Sequence, residues 1–426
     1  MLDSSNVSKS PSGFSDAELF SILDRVMAPD ATRLKKVLIL PPDFTRYHSG
    51  AGKITAHYYN MLKDSCQVDI LPALGSHAPV TEAECRDMYL GQVPWDRLIV
   101  HNWRTDVVRI GEVPRAFVRE VSGGLVDESI AVEVNRLLLD PSYDLILSIG
   151  QVVPHEVVGM ANRNKNLFVG VGGSQMINST HMLSAFYGIE KVLGLDHSPV
   201  RRVFDYAEEQ FLSKLPVNYI LTVTTEQHGD IRTHGLFIGR DRKFFEEAVA
   251  LSQEINITQL DGPIQKAVVY LDPREYKATW VGNKAIYRTR MALADGGELL
   301  ILAPGVSMYC EDAQNDALIA KYGYCGTKKV LDLCKNAQDI QENLSVAGHR
   351  IHGSSEGRFK VTYATKCLDE AGVRKIGYDY MPYDQAVCRY DVQKLVPGYN
   401  TMPDGEVVYF IGNPALGLWM DKSRLS

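Results

Sequence analysis

The chain lacks the patterns that mark secreted, membrane-spanning and zinc-stabilised proteins. Its seven cysteines are scattered and no two form a Cys-x-x-Cys pair, which argues against a structural zinc site or a disulfide framework. No apolar run approaches the roughly 18 residues that a membrane-spanning helix needs. The polar N-terminus has no apolar core of the kind found in a secretory signal. We therefore expect a cytoplasmic protein with reduced thiols and no membrane partner.

Positive charge is also scarce. Lys and Arg total 45 against 52 for Asp and Glu, which gives a formal net charge of −7. Proteins that bind nucleic acids usually carry a clustered basic surface, so we expect no nucleic-acid partner. The 426 residues, 45% of them hydrophobic, exceed what one core usually serves. The length therefore predicts two domains.

Short apolar runs rich in Val, Ile and Leu recur along the chain, and each ends in a polar cluster. The runs in the first half are Lys36–Pro41, Val68–Leu71, Leu98–Val100, Leu145–Ser148 and Leu167–Val169. Helical patterns lie between most of them, for example Thr81–Leu90. This alternation predicts an α/β fold with largely parallel sheets. Ligands in such folds bind beyond the carboxyl ends of the strands, where these polar clusters would line one crevice.

The same pattern resumes near residue 262 and sets the predicted domain boundary. We predict a disordered tail over residues 1–13, a catalytic domain over 14–262 and a second α/β domain over 263–426. In the second domain Lys266–Leu271 and Glu298–Ala303 are predicted strands, joined by a helix over Tyr276–Ala294 that ends at the following glycines. The last segment is allowed to pack back on the first domain. The active site is expected in the cleft between the two.

Four histidines stand out, most of them after a predicted strand, and a lysine lies between the last two. These residues are His77, His101, His155, Lys165 and His181. They leave three interpretations open: a dispersed-histidine zinc hydrolase, a Schiff-base lysine beside a histidine base, or histidine chemistry beside a bound phosphate. No His-Glu-x-x-His helix supports the first. The glycine run Gly170–Ser174 matches neither a Walker loop nor a dinucleotide motif. The residues alone indicate an α/β enzyme with an anionic ligand and histidine chemistry.

The order of these segments resembles a known family. Asp43-Phe-Thr-Arg46 resembles the Asp-x-Thr-Arg segment of the nickel-dependent lactate racemases. Gly75–Glu84 resembles their Gly-x-His-x-Pro-x-Thr segment, and His101-Asn102 resembles the His-Asp that follows it. Pro154-His155 comes next in the same order.

The resemblance continues to the second half of the chain. Lys165 lies ten residues after the last of those histidines, and His181 lies sixteen residues further on, as in the family. Lys284 and Gly296-Gly297 extend the match. Nearly the whole chain therefore resembles the nickel-pincer-nucleotide lactate racemase family.

The resemblance implies a racemase or epimerase that inverts C2 of a small 2-hydroxy acid by hydride transfer. The implied cofactor is nickel held by a pyridinium-3,5-bisthiocarboxylic acid mononucleotide. Lys165 matches the lysine joined covalently to this nucleotide, and His181 matches the nickel ligand. The remaining matches to cofactor-binding positions are Asp43, Thr45, Gly172, Gly173 and Ser174.

The resemblance also assigns the groups that act on the substrate. His101 and His155 match the two histidines that alternate as acceptor and donor of the hydroxyl proton. Arg46 and Lys284 match the cations that hold the carboxylate, a role for which the guanidinium fork is suited. His77 is left as a structural residue at a strand end.

Three departures from the family pattern concern the cofactor edge and the substrate wall. Asn162–Asn166 replaces a glycine-rich approach to the lysine, and Val281 stands where a glutamine is typical. Phe359 is the nearest candidate for the tryptophan of the family's substrate wall, within the polar stretch Gly353–Phe359. We therefore expect a longer polyhydroxylated acid rather than lactate. The alternative that the residues leave open is a metal-dependent hydrolase.

Overall fold

The computed structural model describes residues 1–227 and 230–424. The chain divides into two compact units. The first comprises Met1–Tyr187 and Lys191–Asn256, and the second comprises Gly188–Glu190 and Ile257–Ser426. Each unit contains one six-stranded sheet that is mostly parallel, with helices packed against it. The predicted α/β class with largely parallel sheets is confirmed.

The sheet of the first unit is parallel through its centre and antiparallel at one side. Its strands, in order across the sheet, are Ser4–Val7, Asp230–Ile238, Val217–Gln227, Leu145–Gln151, Lys36–Leu40 and Gln67–Ile70. Leu145–Gln151 is buried along its whole length, because helices cover both faces of a parallel sheet. Two hairpins accompany the sheet, formed by Val107–Val113 with Ile130–Asn135 and by Pro154–His155 with Gly159–Met160.

The helices of the first unit bury their apolar faces in two clusters around this sheet. They are Asp16–Met27, Ala51–Leu62, Glu82–Met88, Arg115–Val121, Ser174–Tyr187, Pro199–Ala207 and Arg242–Asn256. Asp16–Met27 begins at a capping box, since the Ser15 side chain accepts from the Glu18 N–H and Glu18 bonds back to Ser15. Short helical turns connect the strands to the helices at Phe44–Ser49, Trp95–Arg97, Arg136–Leu139, Asn166–Gly170 and Glu208–Leu212.

The second unit repeats the same architecture. Its strands run in the order Asp379–Pro382, Lys360–Thr365, Leu293–Ala303, Ile264–Tyr270, Val407–Ile411 and Gly398–Thr401. A separate parallel pair joins Ile257–Leu260 to Leu418–Asp421. Its helices are Thr279–Gly282, Lys284–Thr289, Ala313–Tyr322, Thr327–Asn336, Gln338–Gln341, Leu344–His352, Glu370–Lys375 and Tyr383–Arg389.

The N-terminal segment differs from the predicted disordered tail. Ser4–Val7 forms an edge strand paired antiparallel with Asp230–Ile238, and the Ser8 N–H extends the pairing to the His234 carbonyl. Main-chain hydrogen bonds carry this contact, so the polar composition of the segment gives no sign of it. The prediction of a tail over residues 1–13 was wrong for this reason.

Three predicted elements also differ from the structure. Leu167–Val169 is buried but lies in the π-helical turn Asn166–Gly170, because a short apolar run does not distinguish a strand from a buried helix. Leu98–Val100 makes only an isolated bridge to Ile70. The predicted helix over Tyr276–Ala294 is broken at Asn283, whose side chain is hydrogen-bonded to the hydroxyls of two tyrosines. The last residues of the predicted helix belong to the strand that begins at Leu293.

Two expectations about the chain as a whole can be compared with the structure. Across the ranges 1–227 and 230–424, no helix combines the length and apolarity needed to cross a bilayer. All seven cysteines are free thiols.

Candidate active site

The loop after strand Lys36–Leu40 carries the first group of predicted site residues. Asp43 is buried, and its Oδ1 accepts a hydrogen bond from Thr45 Oγ1 at 2.7 Å. Arg46 Nη1 donates to the same Thr45 Oγ1 at 2.8 Å. The end of this turn is held by the strand Val217–Gln227, since the Thr222 hydroxyl donates to the Ser49 carbonyl at 2.7 Å. The three residues of the Asp-x-Thr-Arg segment therefore form one hydrogen-bonded chain.

His77 joins this chain from the end of the neighbouring strand. Its Nδ1 lies 2.5 Å from the second carboxylate oxygen of Asp43. Burial would raise the pKa of Asp43, but attraction to His77 and Arg46 and hydrogen bonds from His77 and Thr45 outweigh it and hold the pKa well below its usual range. The ionised carboxylate accepts a hydrogen bond from Nδ1–H, so the Nδ1 nitrogen keeps its proton. When the ring is neutral, its Nε2 therefore carries the lone pair and can accept a proton.

His155 is held in the opposite tautomer. It lies in the hairpin Pro154–His155 with Gly159–Met160, and its Nδ1 accepts the N–H of Val157 at 3.1 Å. A ring nitrogen that accepts a hydrogen bond carries no proton, so the neutral ring has its proton on Nε2. His77 thus offers a lone pair at Nε2, whereas His155 offers a proton there.

Lys165 follows this hairpin, and its amine interacts electrostatically with Arg46 and Asp43. Burial, reinforced by repulsion from Arg46, lowers the pKa of the Lys165 amine to about 8. The carboxylates of Glu156 and Asp43 act against this shift without cancelling it. Roughly a tenth of the amine is therefore neutral at pH 7, far more than for an ordinary lysine with a pKa of about 10.4, and this makes it the better nucleophile.

His181 projects from the helix Ser174–Tyr187 that follows the lysine. Its Nδ1 donates to the Ile177 carbonyl of the preceding turn at 2.6 Å, so the lone pair of the neutral ring is on Nε2. Burial, with some repulsion from Lys165, lowers the pKa of His181 to about 4. The ring is thus neutral at neutral pH. A neutral imidazole with an unprotonated Nε2 is the form that binds a transition metal.

His101 is also buried, but both of its ring nitrogens are already bonded. Nε2 donates to the Gly172 carbonyl at 3.1 Å, and Nδ1 accepts from the Asn135 amide at 2.9 Å. Burial lowers the pKa of His101, although the Gly172 bond and Asp106 oppose the shift. The predicted proton-transfer role would require one of these bonds to break. The arrangement favours a structural role, in which His101 anchors the glycine run.

The glycine run Gly170–Ser174 is explained by close packing. A Cβ on Gly172 would lie 1.8 Å from the Phe168 carbonyl oxygen, and one on Gly173 would lie 2.2 Å from a Glu133 carboxylate oxygen. That same oxygen accepts the N–H of Gln175 at 3.0 Å, at the start of the helix that begins with Ser174. A carboxylate therefore already occupies part of this helix terminus. The predicted contact of Gly172, Gly173 and Ser174 with the cofactor stays a prediction.

The remaining substrate residues lie in the second unit. Lys284 is buried at the start of the helix Lys284–Thr289, with its amine 5.6 Å from the centre of the Tyr276 ring. The polar stretch that includes Ser354, Ser355 and Phe359 lines a pocket of about 710 Å³ in this unit. The predicted roles of Lys284 and of this wall remain predictions.

The four singled-out histidines do not assemble into a zinc site. Among the described residues, the one group of His, Cys, Asp and Glu with ligand atoms close enough to share a metal is Asp196, His197 and Glu246. Arg242 already bonds both carboxylates of that group. The dispersed-histidine hydrolase therefore gains no support from the geometry.

Sequence reasoning missed two residues that shape the site. Asn135 ends strand Ile130–Asn135 and fixes the tautomer of His101, and Glu156 acts electrostatically on both Lys165 and His181. Glu156 could have been noticed because it follows His155 directly. Nothing in the sequence brings Asn135 to its histidine, since 34 residues separate the two.

The chain is similar to known proteins in part of its sequence and in its fold. Residues 24–190 match a family model described as the lactate racemase N-terminal domain. A crystal structure of a protein from Thermotoga maritima is similar, with a TM-score of 0.83 and 23% identity, over 97% of this chain and 100% of that chain. The lactate racemase apoprotein from Thermoanaerobacterium thermosaccharolyticum is similar, with a TM-score of 0.68 and 17% identity, over 96% of this chain and 93% of that chain. No curated protein matches the chain. The two structures show the shared fold.

The lowered pKa of Lys165 gives a prediction that needs no cofactor. Competitive acetylation, followed by peptide mass spectrometry, should show Lys165 reactivity rising with a midpoint of about 8. Below that pH the amine is protonated and unreactive. Lys394 is the control, because it is exposed and Asp391 raises its pKa above the ordinary lysine value of about 10.4. Its reactivity should therefore still be rising at about pH 10. Equal midpoints for the two lysines would contradict the burial argument.

Proposed function

Through its N-terminal domain the chain belongs to the lactate racemase family, and on that premise we propose that it inverts the hydroxyl-bearing C2 of a 2-hydroxy acid. The observation that carries the proposal is the opposite tautomers of His77 and His155. Inversion through a 2-keto acid needs one group that takes the hydroxyl proton and another that returns a proton. The partners of these two rings supply that difference before any substrate binds.

The donor groups of the first unit fit the nickel-pincer nucleotide. We propose that the Lys165 amine forms the covalent link and that His181 Nε2 is the protein's nickel ligand. Burial favours the uncharged form of both groups, which is the form that a nucleophile or a metal ligand needs. When bound, this cofactor accepts the hydride of C2 and returns it, which avoids forming a carbanion beside a carboxylate.

Arg46 is proposed to hold the substrate carboxylate. Its Nη1 bonds Thr45, and no other bond of its guanidinium is formed within the described residues, so the rest of the fork is available for a carboxylate. Asp43 and Thr45 then act by orienting Arg46 and His77 rather than by touching the cofactor. Lys284 is proposed as a further substrate-binding cation.

The proton steps follow from the two tautomers. His77 Nε2 takes the hydroxyl proton, and Asp43 stabilises the imidazolium that results. C2 loses its hydrogen with both bonding electrons, which leaves a planar 2-keto acid. After the hydride returns to the opposite face, His155 in its imidazolium form, supported by the Glu156 carboxylate 3.7 Å from Nδ1, gives its Nε2 proton to the oxygen and becomes a neutral ring, and the alcohol has the inverted configuration. His77 ends protonated and His155 deprotonated, so the reverse reaction exchanges their roles.

We propose a substrate longer than lactate. The stretch Gly353–Phe359, which we propose as the substrate wall, carries Ser354, Ser355 and Glu356 on the lining of a pocket in the second unit. A polyhydroxylated acid would satisfy such a wall with hydrogen bonds. A panel of 2-hydroxy acids from lactate to aldonates tests this choice.

The cofactor assignment predicts two different losses. Protein produced together with the cofactor-making proteins should show a covalent adduct by intact mass, and Lys165→Ala should lose it. His181→Ala should keep the adduct yet lose nickel on gel filtration, because one donor bond is missing. His197→Ala is the matched control, since that ring is exposed and should keep both. An adduct in Lys165→Ala, or full nickel in His181→Ala, would refute the respective assignment.

The histidine assignment predicts an unequal response to substitution. His77→Ala and His155→Ala should each lower kcat in both directions by about 10² to 10⁴, the usual contribution of general acid–base groups. His101→Ala should mainly lower the free energy of unfolding, by about 1–3 kcal/mol, because Asn135 and the Gly172 carbonyl lose a buried partner. Steady-state kinetics in both directions and thermal unfolding measure the two effects. A loss of inversion only in His101→Ala would return the base to that residue.

The hydride step is tested by the fate of the hydrogen on C2. Substrate deuterated at C2 should invert with the deuterium retained, and the product formed in deuterated water should carry no solvent label there. Proton NMR of the product measures both. Exchange of the label with solvent would indicate proton abstraction, and the nickel cofactor would then have to be abandoned even if both histidines proved essential.

A further inference from the structure

The turn that leads to Lys165 has an unusual backbone. Asn162 and Arg163 both have positive φ values, 70° and 56°. Side chains of L-residues rarely adopt this left-handed region, and two in succession are rarer still. Neither residue is glycine, so the surrounding structure must hold the turn in place.

A single buried side chain reaches this turn at three points. Arg201 projects from the helix Pro199–Ala207 and is fully buried. Its Nη2 donates to the Met160 carbonyl at 2.6 Å and to the Asn162 carbonyl at 3.2 Å. Its Nη1 donates to the side-chain oxygen of Asn164. The guanidinium therefore ties together the residues before, within and after the left-handed pair.

The other side of the turn is fixed by carboxylates. The Asn164 amide donates to Asp205 at 2.7 Å and to Glu208 at 3.0 Å. Arg163 pairs with the same two carboxylates at 2.9 and 3.0 Å. The Arg201 charge is thus balanced through Asn164 and its carboxylate partners, and the guanidinium lies 4.4 Å from the centre of the Phe245 ring.

We infer that Arg201 is a positioning residue that holds the Met160–Lys165 turn in the conformation that presents the Lys165 amine. The use of that amine for cofactor attachment rests on the proposed function, whereas the clamp itself rests on the contacts. The three acceptors are bonded by two nitrogens that the planar guanidinium holds at a fixed spacing. A lysine, with one compact charge on a flexible stem, cannot replace it.

The test uses Arg201→Lys, which keeps the charge and removes the fork. Hydrogen exchange of peptides that cover residues 160–168 should become faster by at least about tenfold, since one hydrogen bond to a charged group is worth about that factor or more. The Lys165 adduct fraction of protein made with the cofactor should fall several-fold. Asn164→Ala removes one acceptor of the fork without disturbing Arg201 itself, and it should shift both readouts in the same direction. This second variant decides the matter if Arg201→Lys does not fold.

A rescue separates positioning from general packing. Glycine adopts positive φ without strain, so adding Asn162→Gly to Arg201→Lys should restore much of the slow exchange and of the adduct. Arg242→Gln is the control, because Arg242 bonds Asp205 but does not touch the turn, and exchange over 160–168 should stay unchanged.

Two results would overturn the inference. One is unchanged exchange over 160–168 in both Arg201→Lys and Asn164→Ala. The other is faster exchange that Asn162→Gly does not restore, which would assign Arg201 to core packing alone. If the unsubstituted protein forms no adduct, the proposed function fails, and the exchange and rescue measurements still decide the role of Arg201.

Discussion

Desolvation of Lys165 and His181, both of which are only partly exposed, is the constraint on which the site depends. Burial destabilises the charged form of both side chains, and the mutual repulsion of the lysine with Arg46 and of the histidine with the lysine adds to it. The amine becomes a nucleophile and the imidazole a metal ligand for the same physical reason. Neither property needs a dedicated catalytic partner, because desolvation within the first unit supplies it.

The direction in which each histidine exchanges a proton is set by a partner at Nδ1. A carboxylate accepts the Nδ1 proton of His77, a main-chain carbonyl accepts that of His181, and a main-chain N–H donates to His155. Two of these three partners belong to the backbone and cannot change without a change in the fold. The pattern of lone pairs and protons is thus a property of the local backbone, established before any ligand arrives.

What could be predicted from the sequence depends on the range of the interaction. The helix Asp16–Met27 and the strand Lys36–Leu40 follow from local capping and apolar patterning, and the strand was predicted. The polar clusters at strand ends likewise predicted where the Asp43 chain would lie. The edge strand Ser4–Val7 could not be predicted, since its partner is more than 220 residues away and the contact is made by main-chain atoms.

The same reasoning explains why the histidines were harder to assign. Order and spacing single out His101 and His155, but the role of a ring is decided by what bonds its nitrogens. His101 meets Asn135 and the Gly172 carbonyl through contacts that no local pattern encodes. His77 meets Asp43 because the carboxyl ends of adjacent parallel strands share one sheet edge. The parallel topology was predicted, but the contact between His77 and Asp43 could be recognised only from the positions of their side chains.

The polar turn before Lys165 shows how a strained backbone can be specified rather than merely permitted. Each left-handed L-residue costs about 1–2 kcal/mol, so Asn162 and Arg163 oppose the conformation by a few kcal/mol. Glycines would remove this cost and would need no clamp, whereas Asn162 and Arg163 need one. Here Arg201 is buried, and its hydrogen bonds to the turn exist only when the turn has this shape. Any other shape would leave a buried cation without those partners, which costs more than the strain. The turn therefore keeps the conformation that positions Lys165, because its other conformations would have a higher free energy.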